Sequence, residues 1–196
     1  MDFLIAISLL TIWTGSSAIV SWMEGFREAY RLPPVWGIVK ERLIACSLVI
    51  SAGIPLVFST VLVASGSEIE KRVLLYTGHA LGPFILLMWT GIRWLIAGLT
   101  SVAVIALIYH NAIPRTRRWH TVLPGAVVAS VLWFAATWLF GWYLSRSSEY
   151  NVIYGFLSAG IALLVWMYLV SLIVMVGAEL NAILFPRAVT HHRAPA

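Results

Sequence analysis

Two polar residues near the end of a long apolar stretch are the first candidates for chemistry in this sequence. Glu179 and Asn181 come late in residues 154–185, after more than twenty residues without a charge. A carboxylate inside an apolar span is costly and often lies on a proton or substrate path. We favour the alternative that Glu179 pairs at a helix end with arginines of another loop. Asn181 is expected to hydrogen-bond a neighbouring helix, and the pair is predicted as an inner polar site.

Arg93, Tyr150 and Tyr154 are predicted to form a second site, the outer site, on the opposite side of the membrane from Glu179. For Arg93 and Arg146 we favour snorkelling, with the stem along apolar surface and the guanidinium among headgroups. The alternative is that each guanidinium clamps a lipid phosphate. The tyrosines, with Tyr143, either form an aromatic belt or line an opening.

The sequence contains no motif that indicates an enzyme. Its five histidines lack metal-ligand spacing, and no nucleophile elbow, P-loop or glycine-rich dinucleotide turn is present. A ribonuclease would need clustered metal-binding carboxylates or a water-exposed histidine pair. The eight acidic residues are instead distributed over the whole chain. We therefore expect no catalytic residues, no metal and no cofactor.

Composition identifies the environment of these residues. The chain has 196 residues, of which 61% are hydrophobic and 11% charged, roughly half the charged fraction usual in soluble domains. Ten Trp, eight Phe and seven Tyr could not all be buried in a water-soluble fold of this size. The single cysteine, Cys46, excludes an internal disulfide. These features predict an all-α, polytopic integral membrane helical bundle.

Five spans are predicted, within a single bundle over residues 1–186 followed by a basic tail at 187–196. Pro33 and Pro34 prevent a continuous helix between the first two spans. A broken amphipathic segment, about 67–90, is expected to lie on the outer surface. The spans cover about 3–23, 43–65, 92–109, 122–144 and 155–184.

Small residues mark the predicted helix contacts, because they let two backbones approach closely in a membrane. In the fourth span, small residues recur at helical spacing along one edge. The residues predicted to pack helices together are Gly125, Ala129, Gly155, Ala159 and Gly177.

The basic residues predict the orientation of the bundle. With five spans, nine lysines and arginines fall on one side of the membrane and three on the other, with Arg93 near that second interface. This distribution makes the first side cytoplasmic. The densest basic cluster, with Arg115, Arg117 and Arg118, serves this positive-inside signal first and anionic headgroups second. The N-terminus is then outside although Met1 directly precedes a span, so we expect that an upstream helix is missing.

Ordered motifs over the second half resemble the YihY/BrkB family. They are Pro114 with the basic cluster, LPGAVVASVLW from residue 123, Tyr143, Tyr150, Tyr154-Gly155, Trp166 and GAELN at 177–181. The first half is similar more loosely, through WTGSS at 13–17 and Arg93-Trp94. The resemblance implies a six-helix bacterial inner-membrane protein linked to serum resistance and envelope lipid handling. The family that it resembles also carries an old label, ribonuclease BN, which is widely regarded as misapplied.

Three functions follow as hypotheses. The favoured one is a protein of the bacterial inner membrane, with its C-terminus in the cytoplasm, that handles or transports a lipid or envelope amphiphile. The second is a non-transporting scaffold for envelope proteins, and the last is a membrane-bound ribonuclease. We expect membrane lipids as partners, further copies of the chain or envelope proteins as additional ones, and no nucleic acid.

Overall fold

A computed structural model describes residues 2–33, 36–77, 82–114, 118–146 and 156–186. All regular structure in these ranges is helical, which confirms the predicted fold class. A short 3-10 helix at Trp119–Thr121 precedes α4. The five α-helices are α1 (Asp2–Ala29), α2 (Ile38–Thr77), α3 (Gly82–Ala112), α4 (Leu123–Arg146) and α5 (Phe156–Leu184).

Each of these five helices is long and apolar enough to cross a membrane. The segments that qualify are Ala6–Ala29, Ile38–Gly66, Leu87–Ala112, Leu123–Arg146 and Leu157–Leu184. Their ends lie within a few residues of the predicted spans, and only one of them falls between residues 67 and 109. Among the described residues, length and composition therefore agree with the sequence-based choice of a single crossing there.

The structure differs from the prediction in one segment. Residues 67–77 do not form a separate surface element, because α2 continues through them without interruption. This segment contains good helix formers, Glu68, Glu70, Lys71 and Arg72, so the helix that is already formed over the preceding residues extends through it. Residues 82–90 likewise form the beginning of α3. Of the residues predicted to break the segment, Gly82 and Pro83 are the first residues of α3, and Gly78 and His79 lie outside the described residues.

Consecutive helices pack antiparallel, and α1 packs parallel to α5. Val49 of α2 lies beside Gly15 of α1, and Ser101 of α3 contacts Ser130 of α4. On the other side of the bundle, Trp22 of α1 donates a hydrogen bond to Ser171 of α5. The helices α1, α3 and α5 end, and the helices α2 and α4 begin, at the same end of the bundle. We call this end the C-terminal end of the bundle.

The buried core is concentrated toward this end. Phe26, Tyr109 and Ala178 are completely buried there, whereas large apolar side chains along the spans are exposed, such as Leu164 and Trp138. Lipid is the solvent that such exposed apolar faces require.

A left-handed residue ends α1 sharply. The N–H of Leu32 donates to the carbonyl of Arg27 and the N–H of Arg31 to that of Glu28, the two bonds of a Schellman motif. Arg31 takes the position usually held by glycine, with φ of 50°. Pro33 follows at once and prevents the helix from resuming.

Candidate functional site

The last two turns of α5 present two different faces to the bundle. Val174, Gly177, Ala178 and Asn181 follow the helical repeat along one face, and all four are buried. Met175, Glu179 and Ile183 follow the same repeat along the other face and border a cavity. We call the first the closed face and the second the groove face.

On the closed face, the backbones of α4 and α5 meet through two glycines. A Cβ atom at Gly177 would lie 2.7 Å from the Gly125 carbonyl oxygen and 2.9 Å from the Cβ of Ala129. A Cβ at Gly125 would overlap the Gly177 carbonyl and lie 2.6 Å from the Asn181 Cγ. These contacts leave no room for a side chain on either helix, as expected for small residues at a membrane helix crossing.

Asn181 holds the beginning of α4 against α5. Its Oδ1 accepts a hydrogen bond from the Gly125 N–H at 2.7 Å, and its Nδ2 donates to the Val122 carbonyl at 3.1 Å. The residue before the helix, Val122, has no polar side chain to cap the helix N-terminus. Asn181 supplies the missing acceptor from another helix, which satisfies a buried N–H that would otherwise have no partner.

Tyr109 joins α3 to the same face. Its hydroxyl donates to the Val174 carbonyl at 2.6 Å, and its ring meets Phe26 edge-on with centroids 5.4 Å apart. The hydroxyl also occupies the space that a side chain at Gly177 would need. Four helices therefore meet around the closed face, each through a buried residue.

On the groove face, α1 and α5 touch and then border an open cavity. A side chain at Gly25 would collide with the end of Met175, so the glycine lets this methionine lie across α1. Toward the helix ends lies a cavity of about 740 Å³. Its lining comprises Gly25, Glu28, Ala29, Tyr30, Arg31, Met175, Glu179, Ala182, Ile183 and Pro186.

Three charged side chains line this groove, and all three are exposed. Glu28 and Arg31 come from the end of α1, and Glu179 comes from α5. Within the described residues, the one ion pair joins Arg27 to Glu41, so none of the three is paired with a described residue. Arg27 and Glu41 are both largely buried and link the end of α1 to the start of α2. The groove thus combines available charges with the apolar wall of Met175, Ala182 and Ile183.

The structure separates the two residues that the sequence placed together. Glu179 lies on the groove face and Asn181 on the closed face, because two residues along a helix correspond to a turn of about 200°. Glu179 forms no ion pair with Arg118, and Arg115 and Arg117 lie outside the described residues. The predicted inner polar site is therefore two features, a buried structural contact and a groove residue.

The residues predicted for the outer site are less completely described. The guanidinium of Arg93 lies against Gly66, where a Cβ would collide with it, at the residue where the apolar part of α2 ends. Arg146 lies over the Trp142 ring at 5.3 Å, at the end of α4. Tyr150, Tyr154 and Gly155 lie outside the described residues, so the proposed outer site stays a prediction.

Some of the residues predicted to pack helices together are buried at a helix crossing, and one is exposed. Gly125, Ala129 and Gly177 meet at the crossing of α4 and α5, and the buried residues of α4 are the predicted small edge, Gly125, Ala126, Ala129 and Ser130. Ala159, in contrast, is exposed.

Sequence reasoning missed Glu28 and Arg31 as site residues. The signal was available, since a five-span topology places the ends of the first and last spans on the same side of the membrane. Charges within a turn or two of those ends could then share one cavity. What the sequence did not contain was the information that α1 and α5 are neighbours.

A second, smaller cavity of about 550 Å³ lies between the start of α2 and the end of α3. Its polar lining consists of Ser47, Ser51, His110 and Asn111. The serines and the asparagine donate to carbonyls of their own helices, and the His110 ring stacks on Trp119 with centroids 4.1 Å apart. Among the described residues, no three His, Cys, Asp or Glu side chains are grouped so as to hold a metal ion.

The fold and the exposed apolar spans define a polytopic helical membrane protein. A family model described as virulence factor BrkB matches residues 4–196. The chain belongs to this family, which confirms the resemblance drawn from the sequence motifs.

Individual relatives match this chain either over most of its length at low identity or over about half of it at higher identity. YfkH of Bacillus subtilis, whose name describes it as ribonuclease-like, is 26% identical over 91% of this chain. A UPF0761 membrane protein of Alkalilimnicola ehrlichii is 38% identical over 51% of the chain, and one of Vibrio cholerae is 36% identical over 49%. The matches cover 64%, 23% and 32% of these relatives' own lengths. No solved structure matches the chain significantly.

Proposed function

We propose that this protein binds a lipid or a similar envelope amphiphile in the groove between α1 and α5, as a step in handling or transporting it. The observation that supports the proposal is the lining of the groove. One part is charged, through Glu28, Arg31 and Glu179, and the other is apolar, through Met175 and Ile183. An amphiphile needs both kinds of surface next to each other.

The position of the groove fits the same ligand. Glu28 lies at the end of the first apolar segment and Glu179 about a turn before the end of the last one, which is the depth of the polar headgroups. The cavity of about 740 Å³ falls within the range of small-molecule sites, roughly 300–1,000 Å³. It is large enough for a headgroup and the beginning of an acyl chain, and the rest of the chain would remain in the bilayer.

The proposed role involves binding and movement without covalent chemistry. The groove offers carboxylates, one guanidinium, the hydroxyl of the buried Tyr30 and apolar side chains, and its described lining contains no Ser, Thr, Cys, His or Lys. The ligand would therefore enter and leave chemically unchanged.

The proposed location is the bacterial inner membrane, with the groove and the C-terminus on the cytoplasmic side. The basic connectors support this orientation, because Arg27, Arg31, Lys40 and Arg42 all lie at the C-terminal end of the bundle, together with Arg118. Positively charged loops favour the cytoplasmic side.

The experiment is photocrosslinking in the membrane. The purified chain is reconstituted into vesicles of phosphatidylethanolamine and phosphatidylglycerol that contain a trace of a diazirine-bearing phospholipid. After irradiation, crosslinked peptides are mapped by mass spectrometry. We expect crosslinks to concentrate in 25–31 and 175–186.

Two matched variants on α5 locate the binding. Ile183→Trp fills the groove, and Ile161→Trp makes the same change on a lipid-facing position, since both isoleucines are exposed. We expect the groove crosslinks to fall about tenfold in the first variant and to be unchanged in the second. Crosslinks spread evenly along the exposed helix faces, and equal in both variants, would contradict the proposal.

A further inference from the structure

We infer that the groove selects an amphiphile whose headgroup has both a primary ammonium and a phosphate, as in a phosphoethanolamine lipid. This inference rests on the proposed function and names the ligand class for the same groove. It follows from the number, sign and placement of the charges in the lining.

The two carboxylates provide a site for a cation. Glu28 and Glu179 come from different helices and line one cavity, and neither is paired with a described basic residue. Two like charges that share a cavity repel each other, and a cation between them removes this repulsion. A primary ammonium has three N–H donors, which is enough to supply a hydrogen bond to each carboxylate.

Arg31 provides a site for a phosphate. Its guanidinium is a planar fork of donors that matches phosphate oxygens in pairs. Its backbone is fixed in the left-handed position of the Schellman motif, with φ of 50°, where glycine would be the unstrained choice. An arginine held at a conformational cost beside a cavity is more consistent with a role of the side chain than with a role in ending the helix.

The balance of charges distinguishes between lipid classes. With two carboxylates and one guanidinium, the charged lining has an excess of negative charge, which disfavours an anionic headgroup such as phosphatidylglycerol. A quaternary ammonium has no N–H donors and is usually bound by a cage of several aromatic rings. Tyr30, which is buried, supplies the one aromatic ring among the described lining residues. A primary ammonium with its phosphate is the headgroup that satisfies all three charges.

The experiment measures headgroup preference by native mass spectrometry of the purified chain. Palmitoyl-oleoyl phosphatidylethanolamine, phosphatidylcholine and phosphatidylglycerol are added in equal amounts, and the bound fraction of each is read directly. We expect the ethanolamine lipid to be bound about tenfold more than either competitor. Soluble phosphoethanolamine in excess should displace it only weakly, since it lacks the acyl chains; displacement at equal concentration would mean that a free headgroup, not a lipid, is the ligand.

Variants assign the preference to each charge. Glu28→Gln and Glu179→Gln should each remove most of the discrimination between ethanolamine and glycerol headgroups. Arg31→Gly should weaken binding of all three phospholipids without loss of folding, because glycine adopts this φ freely. The controls are Glu24→Gln and Arg118→Ala, which change exposed charges at the same end of the bundle outside the groove, and neither should alter the preference.

The outcomes separate this inference from the function on which it rests. Groove crosslinks without a headgroup preference would overturn the inference and leave the proposed function standing. Absence of groove crosslinks would overturn both.

Discussion

The closed face and the groove face of α5 differ in packing and in exposure, although their residues alternate along the same two turns of helix. On the closed face, Gly177 and Asn181 meet another helix without any gap, and both polar atoms of the Asn181 amide form hydrogen bonds. On the groove face, Met175 reaches across to α1 one turn beyond the Trp22–Ser171 hydrogen bond, and Glu179 is exposed to an open cavity. One helix thus provides both a fixed contact with α4 at Gly125, Gly177 and Asn181, which we call the seam, and one wall of a cavity.

The difference shows how a small bundle can be rigid and open at the same end. Glycines and an internally satisfied amide fix α4 and α5 together, since any shift would leave a buried N–H without a partner. Contact through a methionine tolerates displacement, because its unbranched side chain adapts to irregular surfaces. We therefore expect substitutions on the closed face to change stability and substitutions on the groove face to change binding.

The largest expected effect is on the glycine crossing. Gly177→Ala places a Cβ within 2.7 Å of the Gly125 carbonyl oxygen, a backbone atom that cannot rotate away. We expect a loss of about 2–3 kcal/mol in the free energy of unfolding, measured by denaturation in mixed micelles. The matched control is Gly160→Ala on the same helix, where nothing lies within 4 Å. If both alanine substitutions lower the free energy of unfolding equally, the backbones of α4 and α5 are not in close contact at Gly177.

A somewhat smaller effect is expected from the capping amide. Asn181→Ala leaves the Gly125 N–H buried without an acceptor, which should destabilise the protein by about 1–3 kcal/mol. Asn111→Ala is the matched control, since Asn111 is exposed and bonds only to its own helix. Glu179→Gln, two residues from Asn181, should change stability by less than about 0.5 kcal/mol. A larger loss for Glu179→Gln than for Asn181→Ala would reverse the assignment of the two faces.

The Tyr109 hydroxyl, which joins α3 to the closed face, should contribute less to the free energy of unfolding than the Asn181 amide does. Tyr109→Phe removes one hydrogen bond to the Val174 carbonyl, which keeps its bond within α5, so we expect a loss of about 1 kcal/mol. Tyr168→Phe removes a hydroxyl from an exposed tyrosine of α5 and serves as the control. Equal melting curves for the two variants would mean that the hydroxyl of Tyr109 does not stabilise the seam.

The smallest effect should have the opposite sign. Arg31→Gly relieves a left-handed non-glycine residue, and after the greater freedom of glycine in the unfolded chain is subtracted, we expect a gain of about 0.5 kcal/mol. Arg118→Gly, at a residue with φ of −124°, should give no gain. A loss of stability in Arg31→Gly would mean that the arginine side chain stabilises the fold, which would weaken its assignment to a ligand.

The sequence was sufficient for the bundle and for the glycine crossing on the closed face, whereas the contact of Tyr109 with that face was not predicted. Apolar length predicted five spans, and small residues at helical spacing identified Gly125, Ala129 and Gly177, because these patterns depend on local composition. The extent of α2 through residues 67–77 was not predicted, since hydropathy locates the membrane and not the helix end. The groove was not predicted either. Its residues come from distant parts of the sequence, as Glu28 and Glu179, 151 positions apart, illustrate, and they come together because α1 and α5 are neighbours.

The separation of the two faces can be measured most directly by cysteine accessibility along the end of α5. In a Cys46→Ser background, single cysteines are placed at 174, 175, 178, 179, 181, 182 and 183 and treated with a small water-soluble thiol reagent in membrane vesicles. We predict rapid reaction at 175, 179, 182 and 183 and protection at 174, 178 and 181. Rapid reaction at 178 and 181, or protection at 179 and 183, would contradict a helix that is closed on one face and open on the other.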